Sequence, residues 1–422
     1  MKISAVDAWT IFDSRGVPTI EAQITLDNGV SGRGIVPSGA STGQFEALEL
    51  RDGDPERFQG RSVDKAISHI KTEISQALMH HEADNQQAID DLLCQLDGTA
   101  DKSRLGANAI LAVSMATANA VANAQGVPLF RRLGDGVLLP LPEIQLIGGG
   151  AHAQWRTDLQ DFLLIAVGAR DYFSTLEMTA NVYAAAMKLL KARGLLCGVA
   201  DEGGFWPDFA SHTAIFDFVM EAIEAAGYRP GVDMALSLDI AASDLFHDGH
   251  YHLKLEQKVF TPQAFRQQIT DWCNQYPVVS IEDPFADTDT ASWQAFTAQM
   301  SGRLQIIGDD LFTTNPARIQ AGVEQRLANS VLIKLNQIGT VSETLAAIAM
   351  TQQAGWTPVV SARSGETEDA FISHLAVATS AGQLKVGSFS RSERMVKWNE
   401  VIRIARQLGD QARFIGADIF RR

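Results

Sequence analysis

Five ionisable residues each follow a short apolar run in the second half of the chain. They are Asp239 after LSL, Glu282 after VVSI, Asp309 after LQIIG, Lys334 after SVLI and Lys385 after QL. Grouped carboxylates can hold a divalent cation, and a buried amine can act as a general base. The residue types therefore predict acid–base chemistry beside a metal ion, provided that the fold brings them together.

The spacing of these runs predicts the fold that would do so. Together with a sixth apolar run that ends at Ser361, they recur at intervals of 24 to 43 residues and alternate with helical stretches. Unbroken apolar runs are typical of parallel strands that are covered on both faces. Successive βα units of a closed barrel explain the period better than separate domains do, and barrel enzymes collect their chemistry at the carboxyl ends of the strands. We therefore expect all five residues at one mouth.

Three carboxylates at one mouth would repel each other unless a cation neutralised them. Oxygen ligands without a histidine or cysteine favour a hard ion, so Mg²⁺ on Asp239, Glu282 and Asp309 is the first hypothesis. Capping of helices or pairing with arginine is the alternative. Beside Mg²⁺ and a second ammonium, the pKa of Lys334 would fall and the amine could act as a base. Ion pairing of both lysines with the same carboxylates is the alternative there.

Four further motifs could complete a site, although each has a plain structural alternative. Residues 201–204 (DEGG) place an acid beside open backbone after a predicted strand at 194–200, or form a simple turn. Arg363 and Ser364 could bind an anion such as phosphate, or precede a helix as a cap. Residues 38–43 resemble a lid that offers a hydroxyl, or a passive loop. His152, beside three glycines, could contact phosphate or relay protons.

The N-terminal part predicts an α+β domain that ends near residue 130. Strands at 19–26 and 30–36 flank a turn, and helices follow from Ser62, over 85–96 and over 105–125. Residues 137–150, with two prolines and three glycines, predict a domain junction or a functional loop.

Composition limits the class of protein. The 422 residues are 46% hydrophobic and 20% charged, which is typical of a globular chain. A net charge of -15 argues against nucleic acid or anionic membrane as a partner. Neither a signal peptide nor an apolar stretch of about 18 residues is apparent. Three widely spaced cysteines suit a reducing, cytoplasmic location.

The chain resembles the enolase (phosphopyruvate hydratase) family over essentially its whole length. The resemblance rests on these segments: FDSRGVPTIE, VPSGASTGQFEALELRD, LDGTADKSRLGANAILAVS, DEGG, SLDIAAS, SIEDPF, GDDL, LIKLNQIGT, RSGETED and RSER. It implies an α/β fold in which an N-terminal α+β capping domain, residues 1–130, precedes a modified (β/α)8 barrel with an irregular start, residues 140–422. It also implies a homodimer or a larger assembly.

The resemblance further implies a role for each site residue in the dehydration of 2-phosphoglycerate to phosphoenolpyruvate. Mg²⁺ would lie on Asp239, Glu282 and Asp309 beside the substrate, with a second Mg²⁺ reached by Ser41 of the closing lid. Lys334 would remove the C2 proton, Lys385 would stabilise the charged carboxylate, Glu202 would protonate the departing hydroxide and Asp161 would assist it. Arg363 and Ser364 would bind the phosphate of this small anionic substrate, with Gln160 and His152 at other pocket positions.

Several positions depart from the family pattern on the acid and phosphate side. Asp161 stands where the family has glutamate, Ala362 where it has histidine and Gly148 where it has asparagine, and bulkier residues stand at 154–155 and 205–206. We therefore expect proton abstraction to survive while loss of water is slowed or replaced. The alternatives are an enolase paralogue for another phosphorylated or phosphonate substrate, similar to carboxyphosphonoenolpyruvate synthase, and a non-catalytic protein on the enolase scaffold.

Overall fold

The N-terminal part is a three-stranded antiparallel sheet covered by helices, in a computed structural model that describes residues 1–40 and 43–421. Its strands are β1 (Ile3–Phe12), β2 (Pro18–Leu26) and β3 (Ser31–Ile35). Its helices are α1 (Asp64–His69), α2 (Ser75–Leu78), α3 (Gln86–Asp97), α4 (Ala107–Gln125) and α5 (Leu129–Leu133), with a π-helical turn between α1 and α2. The predicted hairpin and the two later helices are confirmed, and Gly98 and Gly126 end those helices in the left-handed conformation.

The start of α1 differs from the prediction, which made Ser62 its cap. The helix begins at Asp64, and the carboxylate of Asp52 accepts hydrogen bonds from the backbone N–H groups of Asp64 and Lys65 at 2.9 and 3.0 Å. A residue twelve positions earlier thus performs the capping role, for which there is no local sequence signal.

The second part is a closed eight-stranded barrel in the order β11-β12-β13-β14-β15-β5-β6-β7. Its strands are β5 (Leu141–Gly148), β6 (Asp161–Ile165), β7 (Ala235–Asp239), β11 (Val278–Glu282), β12 (Gln305–Gly308), β13 (Ser330–Ile333), β14 (Thr357–Ser361) and β15 (Gln383–Ser388). The short strands outside it are β4 (Leu138–Leu139), β8 (Phe246–His247), β9 (His250–Leu253), β10 (Lys258–Phe260) and β16 (Arg413–Phe414). The predicted barrel is therefore confirmed.

Nine helices within the described residues accompany the barrel. They are α6 (Tyr172–Ala192), α7 (His212–Ala225), α8 (Pro262–Gln275), α9 (Thr290–Met300), α10 (Pro316–Gln325), α11 (Leu335–Ile338), α12 (Val341–Gln353), α13 (Phe371–Ala378) and α14 (Ser392–Leu408). None of the helices in residues 1–40 and 43–421 is long and apolar enough to span a lipid bilayer.

The barrel begins irregularly, because β6 runs antiparallel to both of its neighbours. The first residue of β6 therefore lies at the same end of the barrel as the last residues of the other strands. The register shows this directly, since Asp161 is paired with Gly148 at the end of β5 and with Asp239 at the end of β7. This reversal decides which residues reach the mouth.

Two sequence predictions were wrong in this region. Residues 137–150 were expected to be a junction or a loop, but every residue of β5 within them is buried and pairs in the barrel. The two prolines there misled the prediction. Residues 194–200 were expected to be a strand, but they form a loop in which Gly198 has a φ of 125° and Leu196 is exposed. The prediction assumed that the apolar residues of this segment are buried, and Leu196 is not.

A layer of polar side chains crosses the barrel interior below the mouth. The amide of Gln383 donates to Glu143 at 2.7 Å, and the amide of Gln305 donates to Gln383 at 2.6 Å. Glu143 is fully buried, and its Oε2 has no hydrogen-bond partner among the described residues. Burial raises the pKa of Glu143 to about 7, despite the opposing charge of Lys385.

We predict that Glu143→Gln changes the pH dependence of stability. Between its ordinary pKa of 4.5 and about 7, the folded chain keeps a proton on Glu143 that the unfolded chain releases. Stability that is present at low pH is therefore lost as pH rises through 7. The wild type should lose about 3 kcal/mol of unfolding free energy relative to the variant between pH 4.5 and 8, in urea titrations. Exposed Glu177→Gln is the control, and a pH-independent difference would contradict the prediction.

Candidate active site

The five residues predicted to converge do meet at the barrel mouth. The Nζ of Lys385 donates to Asp239 Oδ2 at 2.8 Å and to Glu282 Oε2 at 2.7 Å. The Nζ of Lys334 donates to Asp309 Oδ2 at 2.5 Å. Each side chain is at least 85% buried. Three acids and two amines therefore share one enclosed region, as the strand spacing predicted.

These ion pairs determine the direction of the pKa shifts. Burial disfavours the charged form of Asp239, but Lys385 outweighs it and lowers the pKa of that carboxyl to about 2. Burial raises the pKa of Glu282 well above its usual range, and the charge of Asp239 adds to that. Burial lowers the pKa of Lys334, but Asp309 reverses this and the net shift is upward. The expected fall in the pKa of Lys334 is thus opposite to what the protein's own charges produce.

Asp283, which was not predicted as a site residue, orients Asp309 and Asp310 just after β12. Its carboxylate accepts hydrogen bonds from the backbone N–H groups of Asp309 and Asp310 at 2.9 and 2.8 Å. It has a φ of 39°, in the left-handed region where residues other than glycine are uncommon. Carboxylate oxygens of these three residues lie within 4.8 Å of one another. Asp283 therefore fixes where Asp309 points.

The chemistry of the predicted donor atoms fits a hard divalent cation, although in the described residues the three carboxylates whose oxygens lie within 4.8 Å of one another are those of Asp283, Asp309 and Asp310. Asp239, Glu282 and Asp309 offer only carboxylate oxygens, which Mg²⁺ prefers. In the part of the chain that the structure describes, Glu282 Oε1 is buried and has no hydrogen-bond partner. A buried, unpaired carboxylate oxygen is costly unless a cation binds it. Ser41, the predicted ligand of a second ion, lies outside the described residues.

A second group of ionisable residues lies beside this one. Ligand atoms of His152, Asp161 and Glu202 lie within 4.8 Å of one another, and His152 Nδ1 is 3.8 Å from Glu202 Oε1. Lys385 is the bridge between the groups, since its Nζ is 3.6 Å from Asp161 Oδ2. The Nε2 of Gln160 donates to Asp239 Oδ2 at 3.0 Å. The predicted acid side and metal side are therefore contiguous.

The two acids of this group have opposite shifts. Burial raises the pKa of Asp161 well above its usual value, and the charge of Glu202 raises it further. Burial also disfavours ionised Glu202, but His152 and Arg394 outweigh it, so its pKa is lowered. Burial lowers the pKa of His152, and the charge of Glu202 opposes that shift. Asp161, rather than Glu202, is therefore the acid that retains a proton here.

The predicted anion-binding residues are held by the N-terminal part. Arg363 Nη1 donates to Glu46 Oε2 at 2.9 Å, and Arg15 Nη1 donates to Ser364 Oγ at 3.2 Å. Arg394, which is fully buried, donates to the backbone carbonyls of Arg363, at 2.6 Å, and of Ser364. Glu46, Arg15 and Arg394 thus fix the orientation of this side of the site.

A cavity of about 20 Å³ connects the two groups. It is lined by Ala40, His152, Gln160, Glu202, Asp239, Lys334, Ser361, Ala362, Arg363, Ser364 and Lys385. That volume holds about one water molecule, so a phosphorylated substrate requires this region to open. Glu46 is the side chain that a phosphate would displace from Arg363.

The bulky departures from the family pattern do not narrow this cavity. Phe205 is buried against Tyr183, with ring centroids 4.4 Å apart. Trp206 packs against the guanidinium of Arg156, and Trp155 against the Nζ of Lys254. Of the departures, Ala362 lines the cavity and Asp161 lies beside it.

The fold and this site define a barrel protein with an N-terminal α+β part and a group of buried acids and amines at the barrel mouth. Residues 3–133 match the enolase N-terminal domain, and residues 136–422 match the enolase C-terminal TIM barrel domain. The chain is also 50% identical over 424 aligned residues to Enolase 1 of Desulfitobacterium hafniense strain Y51, with 99% of this chain and 97% of the relative covered. The chain belongs to the enolase family and is an enolase-like lyase.

We predict that Asp283→Asn destabilises the mouth. An asparagine side chain can accept one of the two N–H groups through its oxygen but turns an NH₂ donor toward the other, so a buried donor loses its acceptor. The free energy of unfolding should fall by about 1 to 3 kcal/mol in urea titrations. Asp287→Asn, whose side chain is only half-buried, should change it by less than about 0.5 kcal/mol. Equal effects of the two substitutions would refute this role of Asp283.

Proposed function

We propose that this enzyme dehydrates 2-phosphoglycerate to phosphoenolpyruvate, with Mg²⁺ as its cofactor. The observation that carries the proposal is that two ion-paired groups meet at one barrel mouth. Lys334 pairs with Asp309, and Lys385 pairs with Asp239 and Glu282. The substrate is a small phosphorylated acid, consistent with the family and with Arg363, which lines the cavity. In the proposal, Asp239, Glu282 and Asp309 hold one Mg²⁺, and Ser41 reaches a second when the lid closes.

Lys334 is the proposed base that takes the C2 proton. Burial and the guanidinium of Arg363 both lower the pKa of Lys334, but Asp309 outweighs them, so the neutral amine that a base requires depends on neutralisation of the Asp309 charge. Mg²⁺, when bound, supplies positive charge that neutralises the carboxylates and stabilises a substrate carboxylate that gains negative charge. Lys385 adds an ammonium group that is held beside Asp239.

Glu202 is the proposed donor of the proton to the departing hydroxide. Its neighbour Asp161 retains a proton because burial raises its pKa. Ligand atoms of the two carboxyl groups lie within 4.8 Å of each other, a distance that one water molecule would bridge for proton transfer. His152 is held beside Glu202, and Gln160 is fixed by Asp239, so both orient the substrate. Arg363 and Ser364 bind its phosphate once Glu46 moves away.

We also propose a domain organisation, an oligomeric assembly and a cytoplasmic location for this chain. Residues 1–130 form the capping domain and residues 140–422 the catalytic barrel, and the chain assembles as a homodimer or a larger oligomer in the cytoplasm. Cys94, Cys197 and Cys273 are all unpaired, which supports a reducing compartment.

A second candidate function follows from Ala362. Ala362 lines the cavity together with Glu202 and Lys385, and its side chain is smaller than the histidine of the family pattern. Once the region opens, the smaller side chain would favour a phosphorylated or phosphonate acid with a larger group near the leaving atom. The same base and metal residues would act on it.

We predict that Lys334→Ala abolishes exchange of the C2 hydrogen of 2-phosphoglycerate with solvent deuterium, because no base remains. Glu202→Gln should retain exchange while phosphoenolpyruvate formation falls by about 10²-fold or more, since only the acid is lost. Proton NMR measures the exchange and ultraviolet absorbance the product. Exposed Lys188→Ala should match the wild type. Exchange without product in the wild type would favour the second candidate, and absence of both would refute the function for 2-phosphoglycerate.

We predict that the protein binds Mg²⁺ in isothermal titration calorimetry and that Asp239→Asn weakens this binding by about tenfold or more. The physical reason is the loss of one negative charge from a buried ligand set. Exposed Asp248→Asn should leave the dissociation constant unchanged. Binding that is equally tight in the Asp239 variant would show that the ion lies elsewhere.

A further inference from the structure

Gln145 connects the two acids of the site from inside the barrel wall. It lies in β5 and is completely buried. Its Nε2 donates to Asp161 Oδ1, and its Oε1 accepts a hydrogen bond from the backbone N–H of Gly204 at 2.7 Å. Both ends of the amide are therefore used, one on each acid-bearing segment.

The contact with Gly204 also constrains Glu202. Gly204 is two residues beyond Glu202, in a tight turn where its carbonyl accepts from Ala200 N at 2.8 Å and Gly203 N donates to the Ala200 carbonyl at 2.9 Å. The Glu202 carbonyl accepts from Ser388 N at 2.9 Å, which ties the turn to β15. A turn closed in this way moves as a unit, so holding Gly204 holds Glu202.

The surrounding glycines leave room for this side chain. A Cβ added at Gly204 would lie 2.5 Å from Gln145 Oε1, and one added at Gly148 would lie 3.2 Å from Gln145 Nε2 and 2.6 Å from the Cβ of Ala200. Larger residues at either position would collide with the glutamine or its neighbours. A side chain as long as that of Gln145 therefore fits here because residue 148 is a glycine.

The same length explains how Asp161 is accommodated. Aspartate is one methylene shorter than the glutamate of the family pattern, and its backbone position is fixed by pairing with Gly148 and Asp239. The carboxyl group consequently stays close to the barrel wall, where the amide of Gln145 reaches it. A shorter amide at 145 would not contact both Asp161 and Gly204.

We propose that Gln145 is a positioning residue that sets the distance between Asp161 and Glu202 for proton delivery to the leaving hydroxide. The proposal rests on the proposed function. Gln145 does not line the cavity, so it acts through the two acids and not on the substrate. Lys334 is not among the hydrogen-bond partners of the Gln145 side chain in residues 1–40 and 43–421. Its role therefore concerns loss of water and not removal of the C2 proton.

Variants that change the side-chain lengths of Gln145 and Asp161, singly and together, test this role. Gln145→Asn shortens the amide by one methylene and should lower phosphoenolpyruvate formation by about 10²-fold, as a misplacement of about 1 Å can do. Exchange at C2 should stay within about twofold of the wild type. Asp161→Glu alone should also slow loss of water, because the longer carboxyl crowds Gln145. The double variant Gln145→Asn/Asp161→Glu keeps the combined length and should recover to within about fivefold of the wild type.

Gln383→Asn is the matched control, because it shortens another fully buried amide of the barrel interior that does not contact either acid. It should lower the melting temperature without separating exchange from product formation. If Gln145→Asn fails to fold, recovery of folding and product formation in the double variant supports the proposal. Additive losses in the double variant, or equal loss of exchange and product in Gln145→Asn, would overturn it. A wild type with neither reaction would instead remove the proposed function on which it rests.

Discussion

The balance of buried charge at the barrel mouth is the constraint on which the rest of the structure depends. Asp239, Glu282 and Asp309 would repel each other in this buried region, and two ammonium groups hold them in place. Because each charge is on a different strand, this balance exists only when the barrel is closed. Closure of the sheet and assembly of the site are thus the same event.

The reversed strand at the start of the barrel gives the mouth its acid side. In an all-parallel barrel the first residue of a strand would lie at the opposite end from the chemistry. Because β6 is antiparallel, its first residue, Asp161, lies beside Lys385. The same reversal places β5 next to it, and Gln145 on that strand can reach both Asp161 and the turn that carries Glu202.

The N-terminal part completes the site from outside the barrel. Arg15 and Glu46 hold Ser364 and Arg363, and Ser38 pairs with Gly365 through two backbone hydrogen bonds of 2.9 Å. The anion side of the site is therefore an interface and not a pocket of the barrel alone. In the proposed function, a phosphate that takes Arg363 from Glu46 would change the contact between the two parts.

The sequence by itself determined six of the seven parallel barrel strands and the five residues at their ends, because a buried strand that ends in a charge at a regular interval is a local pattern. Motif resemblance added Asp161 and assigned roles to Glu202 and His152, which short motifs alone had offered only as candidates. Only the tertiary structure decided the partners: Asp52 as the cap of α1, Asp283 behind Asp309, Glu46 on Arg363 and Gln145 between the acids. Those contacts join residues that are far apart in the chain or that lie on a reversed strand. Burial and the closed barrel set them, and no local pattern in the sequence encodes them.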